Sequence, residues 1–154
     1  MPERRDYEEF YKEHQGKVDN FEAAFDTFIK KVIPEKVLAK TKEIAFDVLD
    51  GVTSESPVAT GRLRANWNVG IGSADLNVEE YPEDLSEEEA KRIAMERGAN
   101  VLSKVKPYEK IVISNNCVYA GSIERGHSEK APKGMLGVTL DGIRPKIERG
   151  DYFD

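Results

Sequence analysis

The sequence has few of the residues from which common structural and catalytic sites are built. Its 154 residues include one cysteine, Cys117, and two histidines, His14 and His127. A single cysteine excludes an internal disulfide framework and any zinc site of the CxxC type. No apolar run approaches the roughly 18 residues that a membrane-spanning helix needs, so we do not expect a transmembrane protein.

We do not expect an export signal in the first residues of this sequence. Residues 1–14 are charged throughout and contain no apolar stretch, so Arg4-Arg5 does not fit a Sec or twin-arginine signal. The length is that of one ordinary domain, and 39% apolar residues are enough for a single core. These features predict a soluble intracellular or virion protein with no membrane partner.

Basic residues are absent from one long stretch. Between Arg64 and Lys91 there is no lysine or arginine, but there are eight acidic residues. The whole chain has 23 basic and 29 acidic residues, so the remainder is nearly neutral. The clustered basic surface of a typical nucleic-acid-binding protein is therefore lacking. We interpret the stretch as a solvated loop; the alternatives are a surface that repels DNA or one that docks a basic partner.

Apolar residues with helical spacing predict a long helix from Asn20, its N-cap, to about Asp50, with Gly51 ending it. Two apolar stripes lie on opposite faces of this helix, one before and one after Pro34. The first consists of Phe21, Phe25, Phe28, Ile29 and Val32, and the second of Val37, Leu38, Ile44, Ala45, Val48 and Leu49. Either the helix kinks at Pro34, or one half faces the domain's own core and the other a neighbouring subunit.

Three segments are predicted to be strands. Leu63–Ile71 alternates between apolar and polar residues, as a half-buried strand does. Ile111–Ile113 and Val118–Ile123 are joined at Asn115-Asn116, which suits a tight hairpin because asparagine tolerates positive φ. Trp67 is expected in the core rather than on a stacking surface.

Two further helices follow from local signals. Ser86 and the three glutamates after it form a capping box that opens a helix to about Gly98. Residues 126–134 are rich in glycine, lysine and proline and indicate a loop. Met135–Ile147 is predicted to be the last helix, poorly capped and broken near Pro145.

The expected fold class is therefore α+β. A long N-terminal helix, kinked or two-faced at Pro34, packs on a small and mainly antiparallel sheet, with an inserted acidic loop and helix and a C-terminal helix. Residues 1–17 are expected to form a polar, partly helical N-terminal arm, and residues 18–148 a single α+β domain. Residues 73–105 form the acidic insertion, and residues 149–154 a C-terminal tail.

Motifs for chemistry are weak. Gly70-Ile71-Gly72 is a lone GxG within or at the end of a strand, and no Walker loop follows it. Glu124 and His127 have ExxH spacing, but Gly126 interrupts it at a predicted strand end, where the two side chains do not share a face. Cys117 is expected to be an inert buried thiol rather than a nucleophile paired with His127. We predict no catalytic residue, no metal site and no cofactor.

Two segments, in this order, resemble a known family. Residues 56–64 (SPVATGRLR) follow a helix, and residues 118–126 (VYAGSIERG) precede Ala131-Pro132 and the last helix. This arrangement is similar to the head–tail joining, or tail-completion, proteins of the necks of long-tailed bacteriophages. The resemblance covers roughly residues 35–72 and 108–145.

The sequence departs from the family pattern in three places. Ala59 stands where an acid commonly precedes Thr-Gly, and His127 where a threonine often follows Glu-x-Gly. The acidic segment 73–105 is longer than the family usually has, so no role can be carried over to it.

The resemblance implies a non-enzymatic virion protein, assembled in the host cytoplasm. It would form homo-oligomeric rings at the neck and contact head-connector or tail proteins, while DNA passes nearby without specific binding. A second hypothesis is a small monomeric adaptor or regulatory module that binds a protein partner through the acidic loop. A third is a hydrolase that uses Cys117 or the Glu124/His127 pair.

Candidate interface residues come from both motifs and from the helix. Gly61 would allow a sharp turn into the strand that carries two arginines. Two arginines on one side of a strand favour carboxylate or phosphate partners, and Glu124 is the candidate carboxylate, within the chain or on a neighbouring subunit. The candidate interface with subunits or partners consists of Arg62, Arg64, Tyr119, Glu124, Phe21, Phe25 and Phe28.

Overall fold

The computed structural model describes residues 4–153, with side chains from Glu8 onward, so the side chains of Arg4-Arg5 lie outside it. Its residues divide into two compact units between Val37 and Leu38. The elements are α1 (Arg4–Thr27), a π-helical turn (Phe28–Val32), α2 (Ile33–Glu55), α3 (Arg62–Ala65), β1 (Trp67–Ile71), α4 (Glu87–Leu102), β2 (Ile111–Asn115), α5 (Ala120–Glu124), α6 (Leu136–Glu148) and a 3₁₀ turn (Asp151–Phe153). The predicted α+β class is confirmed. None of the helices in this part of the chain is long and apolar enough to cross a membrane.

Helix α1 begins at Arg4, so the predicted N-cap at Asn20 is wrong. The residues before Asn20 include many glutamates, lysines and a glutamine, which are good helix formers. Side-chain contacts one turn apart add to this: Gln15 Nε2 donates to Asp19 Oδ1 at 2.8 Å. The helix therefore runs through the segment that the sequence suggested as an arm.

Helical structure continues on both sides of Pro34, as predicted. The five residues Phe28–Val32 form a π-helical turn, in which the N–H of Ile33 donates to the carbonyl of Phe28. Pro34 has no N–H to donate to the carbonyl of Lys30. A widened turn just before the proline allows the backbone to pass it without ending the helix.

The second unit has its core around the C-terminal half of α2. Ala45, Leu49 and Val52 are buried there. Helix α2 continues to Glu55, so the prediction that Gly51 ends it is wrong. A Cβ at Gly51 would collide with the side chain of Thr139, so this glycine permits close approach of α6 rather than a cap.

The core joins buried side chains from helices α2, α3, α4 and α5 and from strand β1. Trp67 is 4% exposed, as predicted, and its indole Nε1 donates to Ser56 Oγ at 2.7 Å. The buried apolar residues that form this contiguous cluster are Ala45, Leu49, Val52, Leu63, Trp67, Val69, Ala94, Leu102, Val105, Cys117, Ala120 and Met135.

The sheet has two strands in the described part of the chain, β1 and β2, which pair antiparallel from Trp67↔Asn115 to Ile71↔Ile111. The predicted strand over residues 63–71 is wrong at its start, because residues 62–65 form the helical turn α3. Leu63 is still buried, so the apolar residue faces the core as expected, but from a helix.

The predicted hairpin at Asn115-Asn116 is also wrong. β2 takes β1 as its partner, and residues 118–123 form a turn and most of α5. Asn115 Nδ2 donates to the carbonyl of Leu63, and Asn116 Nδ2 to that of Leu76. These amides anchor the segment to other parts of the unit, so the two asparagines serve long-range contacts instead of a local turn.

Helix α4 begins as predicted: the N–H of Glu89 donates to Ser86 Oγ at 3.1 Å. The acidic loop before it is largely exposed, as expected, yet it is fixed to the unit. The side chain of Asn66 both donates to the carbonyl and accepts from the N–H of Glu79, at 3.0 and 2.7 Å. Asn68 Nδ2 donates to the carbonyl of Asn77 at 2.7 Å.

The C-terminal residues up to Phe153 pack against the rest of the second unit. Helix α6 contains Pro145 without breaking and ends at Glu148. Tyr152 in the following 3₁₀ turn is buried, and its hydroxyl donates to Asp47 Oδ2 of α2 at 2.7 Å.

Candidate functional site

An exposed aromatic surface runs along the first unit. We call it the phenylalanine stripe: Phe21, Phe25, Phe28 and Ile29. The exposed fractions of these side chains are 68%, 53%, 45% and 46%. The rings of Phe21 and Phe25 stack with centroids 6.0 Å apart, so both lie on one face of α1. No residue between positions 8 and 37 is buried, so the stripe belongs to no core within its own unit.

Acidic residues accompany the stripe. Between positions 8 and 26 the helix has six acidic residues and two lysines. Glu22 and Asp26 each directly follow a phenylalanine of the stripe, so they flank it on one side. Asp26 also pairs with Lys30 at 2.7 Å, so the surface is apolar along its centre and charged at its edge.

A cavity of about 650 Å³ lies in the second unit. We call it the loop pocket. The segment between α2 and α3 forms one wall, and α5 with the loop after it forms the other. The lining residues are Pro57, Val58, Ala59, Thr60, Gly61, Leu63, Tyr119, Ile123, Ser128, Glu129 and Lys130.

Gly61 shapes the first wall. Its φ of +84° is in the left-handed region, and a Cβ there would lie 2.5 Å from the Cβ of Leu85. The neighbouring carbonyl of Thr60 accepts from the N–H of Leu85 at 2.8 Å. A glycine is therefore required where the chain turns into α3. This confirms the sharp turn that the sequence predicts at Gly61.

Arg62 lies next to the loop pocket but does not pair with Glu124. Its Nε and Nη2 donate to Glu80 at 3.0 and 2.5 Å, in a bidentate ion pair. Its guanidinium carbon is 6.0 Å from the ring centroid of Tyr119. The Glu80 carboxylate, followed by Tyr119, raises the pKa of Arg62. The prediction of Glu124 as the arginine's partner is wrong within the chain, since an acid of the loop takes that place.

Arg64 has a structural role. Its Nη2 donates to the carbonyl of Ser56 at 2.7 Å and to that of Ser54 at 3.3 Å. Both carbonyls lie at the end of α2, where backbone acceptors lack helical partners. Arg64 therefore holds the end of α2 against α3.

Glu124 caps helix α6. Its two carboxylate oxygens accept the N–H groups of Met135 and Leu136 at 2.8 Å and of Gly137 at 2.9 Å. Partial burial acts to raise the pKa of Glu124, but these three backbone donors outweigh it and hold the pKa below its ordinary value. The prediction that the last helix is poorly capped is wrong, because the cap comes from a residue 11 positions before Met135.

The chemistry considered for a hydrolase is not supported by these contacts. Burial raises the pKa of the Cys117 thiol, which is the opposite of what activates a nucleophile. His127 Nδ1 lies 2.9 Å from Ser122 Oγ, and both oxygens of Glu124 bind backbone donors. Within residues 4–153 no group of three or more potential ligands is placed to hold a metal ion.

The structure brings only part of the predicted interface together. Arg62 and Tyr119 meet beside the loop pocket, whereas Arg64 and Glu124 stabilise helix ends elsewhere in the second unit. The phenylalanine stripe belongs to the first unit. Sequence reasoning missed the loop pocket itself, although the two motifs that carry the family resemblance supply most of its walls.

Comparison with known proteins gives one match. Residues 19–79 match the family model described as "HK97-gp10_like: Bacteriophage HK97-gp10, putative tail-component". The matched region is about two fifths of the chain and includes the phenylalanine stripe and the 56–64 motif. No curated protein and no solved structure matches the chain. The similarity to a putative tail component supports a structural role in a bacteriophage virion.

Proposed function

We propose that this chain is a structural protein of the phage neck that assembles into a ring and thereby joins head and tail or completes the tail. One observation carries the proposal: three phenylalanines of one helix face are 45–68% exposed, and none of the described side chains from position 8 to position 37 is buried. Exposed apolar patches of this kind mark interaction surfaces. The family match to a tail component and the ordered motifs of neck proteins support the same function.

The size of the stripe favours assembly. A fully buried aromatic side chain removes about 150–250 Å² from water, so the exposed parts of these three rings amount to roughly 250–400 Å². At about 25 cal/mol per Å², covering them stabilises a contact by up to roughly 6–10 kcal/mol before the entropic cost of association. A standard interface buries about 800 Å² per partner. The stripe would supply its apolar centre, and the acidic residues beside it the polar rim.

The proposed partners are further copies of this chain and neighbouring head-connector or tail proteins. No specific DNA contact is proposed, because acidic residues outnumber basic ones, 29 to 23, and the net charge is −6. A channel lined by such a protein would let DNA slide through it. Tight, salt-sensitive DNA binding by the isolated protein would contradict this part of the proposal.

The adaptor hypothesis receives less support from the contacts. Two acids of the loop are engaged within the chain, since Glu80 pairs with Arg62 at 2.5 Å and Glu79 with Arg97 at 3.6 Å. A basic partner would therefore compete with internal arginines for these carboxylates. An adaptor would also remain a monomer at high concentration, and this separates the two functions.

Sedimentation velocity over a range of concentrations tests the proposed assembly. We expect the wild-type protein to sediment as an oligomer and the double variant Phe21→Ser/Phe25→Ser as a 17.3 kDa monomer with unchanged helix content. The matched control is Phe153→Ser, because Phe153 is 65% exposed, close to the 68% of Phe21, but lies outside the stripe. A wild-type monomer at every concentration, or equal loss of assembly in the control, would contradict the proposal.

Phage assembly tests the neck role itself. A phage that lacks this gene is complemented with the wild-type gene, with the double variant or with Cys117→Ala. We expect the double variant to leave heads and tails unjoined, or tails incomplete, in electron micrographs, while Cys117→Ala restores infectious particles. Restoration by the double variant and failure of Cys117→Ala would favour the hydrolase hypothesis instead.

A further inference from the structure

The loop pocket has the size and chemistry to receive aromatic rings. Its volume is about 650 Å³, and most of its lining side chains are apolar. An apolar cavity of about 150 Å³ is enough to bind a benzene ring. The loop pocket can therefore hold two phenyl rings with space left for their connecting backbone. Phe21 and Phe25 are such a pair, because their rings stack with an interplanar angle of 10°.

Charge is complementary between the stripe and the loop pocket. Residues 128–130 line one side of the pocket, and the whole loop over residues 125–133 has three basic residues against one acid. Residues 8–26 of α1 have six acids against two lysines. The Nζ of Lys130 lies at the pocket, 3.3 Å from the carbonyl of Val58 on the opposite wall. An acidic helix with an aromatic stripe would thus meet a mainly apolar pocket whose loop has a net positive charge.

We infer that the loop pocket of one copy binds Phe21 and Phe25 of a second copy of this chain. The inference rests on the proposed function, because it names the surface that the phenylalanine stripe covers in the assembly. Each copy offers one stripe and one pocket, so the contact joins two different surfaces. Contacts of this heterologous kind generate a ring when the rotation between neighbours closes.

The pocket also complements the limited area of the stripe. If two stripes packed face to face, each would bury at most about 400 Å² of ring surface. A standard interface buries about 800 Å² per partner, so this contact would supply half of that area at most. Rings inserted between two walls are covered on both faces and bring the pocket rim into the contact. Tyr119, whose ring is 40% exposed, lies on that rim and is available for aromatic contact.

Photocrosslinking in isotopically mixed protein tests the inference. The photoreactive residue p-benzoylphenylalanine replaces Phe25, and equal amounts of ¹⁴N- and ¹⁵N-labelled protein are mixed at a concentration where oligomers form. After irradiation, mass spectrometry maps the crosslinked peptides. We expect crosslinks from position 25 to residues 57–63 or 119–130, half of them joining one light and one heavy peptide. The same photoreactive residue at Phe153 serves as the control and should give no crosslink to the pocket.

The outcomes separate this inference from the proposed function. Oligomers whose crosslinks join α1 to α1 would overturn the pocket assignment and leave the ring proposal standing. Crosslinks to the pocket in which both peptides always have the same label would show docking within one chain and would overturn it as well. A protein that forms no oligomer would contradict the proposed function, and with it this inference.

A pair of tryptophan variants tests the pocket without altering the stripe. Ala59 is an exposed residue of the pocket lining, so Ala59→Trp places a large ring inside the cavity. We expect it to weaken assembly about tenfold or more, as overfilling a contact does. Ala39→Trp adds the same ring at an exposed position of α2 outside the pocket and should leave assembly unchanged. Equal assembly of Ala59→Trp and wild type would overturn the inference.

Discussion

Replacing Glu124 by glutamine should weaken the second unit in a pH-dependent way. The carboxylate accepts three backbone N–H groups at the start of α6, at 2.8, 2.8 and 2.9 Å. A glutamine side chain has one oxygen in place of two, and its NH₂ group would face a backbone donor. The variant therefore loses at least one charge-assisted hydrogen bond and the attraction between the carboxylate and the positive end of the helix dipole.

We expect a loss of about 2 kcal/mol in the free energy of unfolding at pH 7, from the usual values for caps and charged hydrogen bonds. The pKa of Glu124 is lower in the folded protein than its ordinary value. The carboxylate thus stabilises the fold fully above the pKa of the unfolded chain, about 4.3, and this contribution is lost as the pH falls through the folded pKa. The difference between wild type and Glu124→Gln should therefore be constant from pH 7 to about pH 5 and should shrink below about pH 4.

Urea unfolding followed by circular dichroism at several pH values measures this difference. At pH 7 the midpoint should fall by about 1 M, given slopes of about 1–3 kcal/mol/M. Glu129→Gln, at an exposed position of the following loop, is the control and should leave the midpoint unchanged. Equal stability of wild type and Glu124→Gln at pH 7, or a difference that persists unchanged to pH 3, would refute the role of Glu124 as a cap.

Two further substitutions test other contacts of the second unit. Gly61→Ala should lower the free energy of unfolding in urea clearly more than Gly72→Ala does. Both glycines have positive φ, but of the two only Gly61 has a neighbour in the way, since a Cβ there would lie 2.5 Å from Leu85. Equal losses would contradict the close contact. Burial, followed by Asp47, raises the pKa of Tyr152 to about 12. Spectroscopic titration should therefore show one tyrosine that ionises near pH 12, and this signal should be absent from Tyr152→Phe. The stability that the protonated Tyr152 hydroxyl contributes below pH 10 should be lost as the pH rises from about 10 to 12.

Local signals in the sequence predict several elements correctly. The capping box at Ser86 lies within four consecutive residues, and helix on both sides of Pro34 follows from apolar spacing over three turns. The burial of Trp67 follows from its size and apolar character. In each case the structure is determined by residues that are neighbours in the chain, or by the size and polarity of one side chain.

The errors arise where distant residues decide. Asn115-Asn116 fits a hairpin locally, but β1, more than 40 positions earlier, is the strand that pairs with β2. Glu124 is separated from the helix that it caps by a whole loop, so no local capping-box pattern in the sequence predicts this cap. Arg62 could have paired with any nearby acid, and only the folded loop brings Glu80 to it.

The candidate site is predicted in part for the same reason. The spacing of Phe21, Phe25 and Phe28 identifies one helix face, and the structure adds that this face is exposed. The loop pocket needs two segments about 60 positions apart, which the sequence marks only as separate motifs. Tyr119 is among the predicted interface residues, whereas Val58 and Ala59 on the opposite wall lie in a motif but are not assigned to an interface.

Electron cryomicroscopy of the assembled phage particle tests the central claim most directly. The account predicts a closed ring of this chain between head and tail, or at the end of the tail, with Phe21 and Phe25 of every copy covered by a neighbouring subunit. A particle without this chain, or a ring in which that face of α1 remains in solvent, would contradict the account.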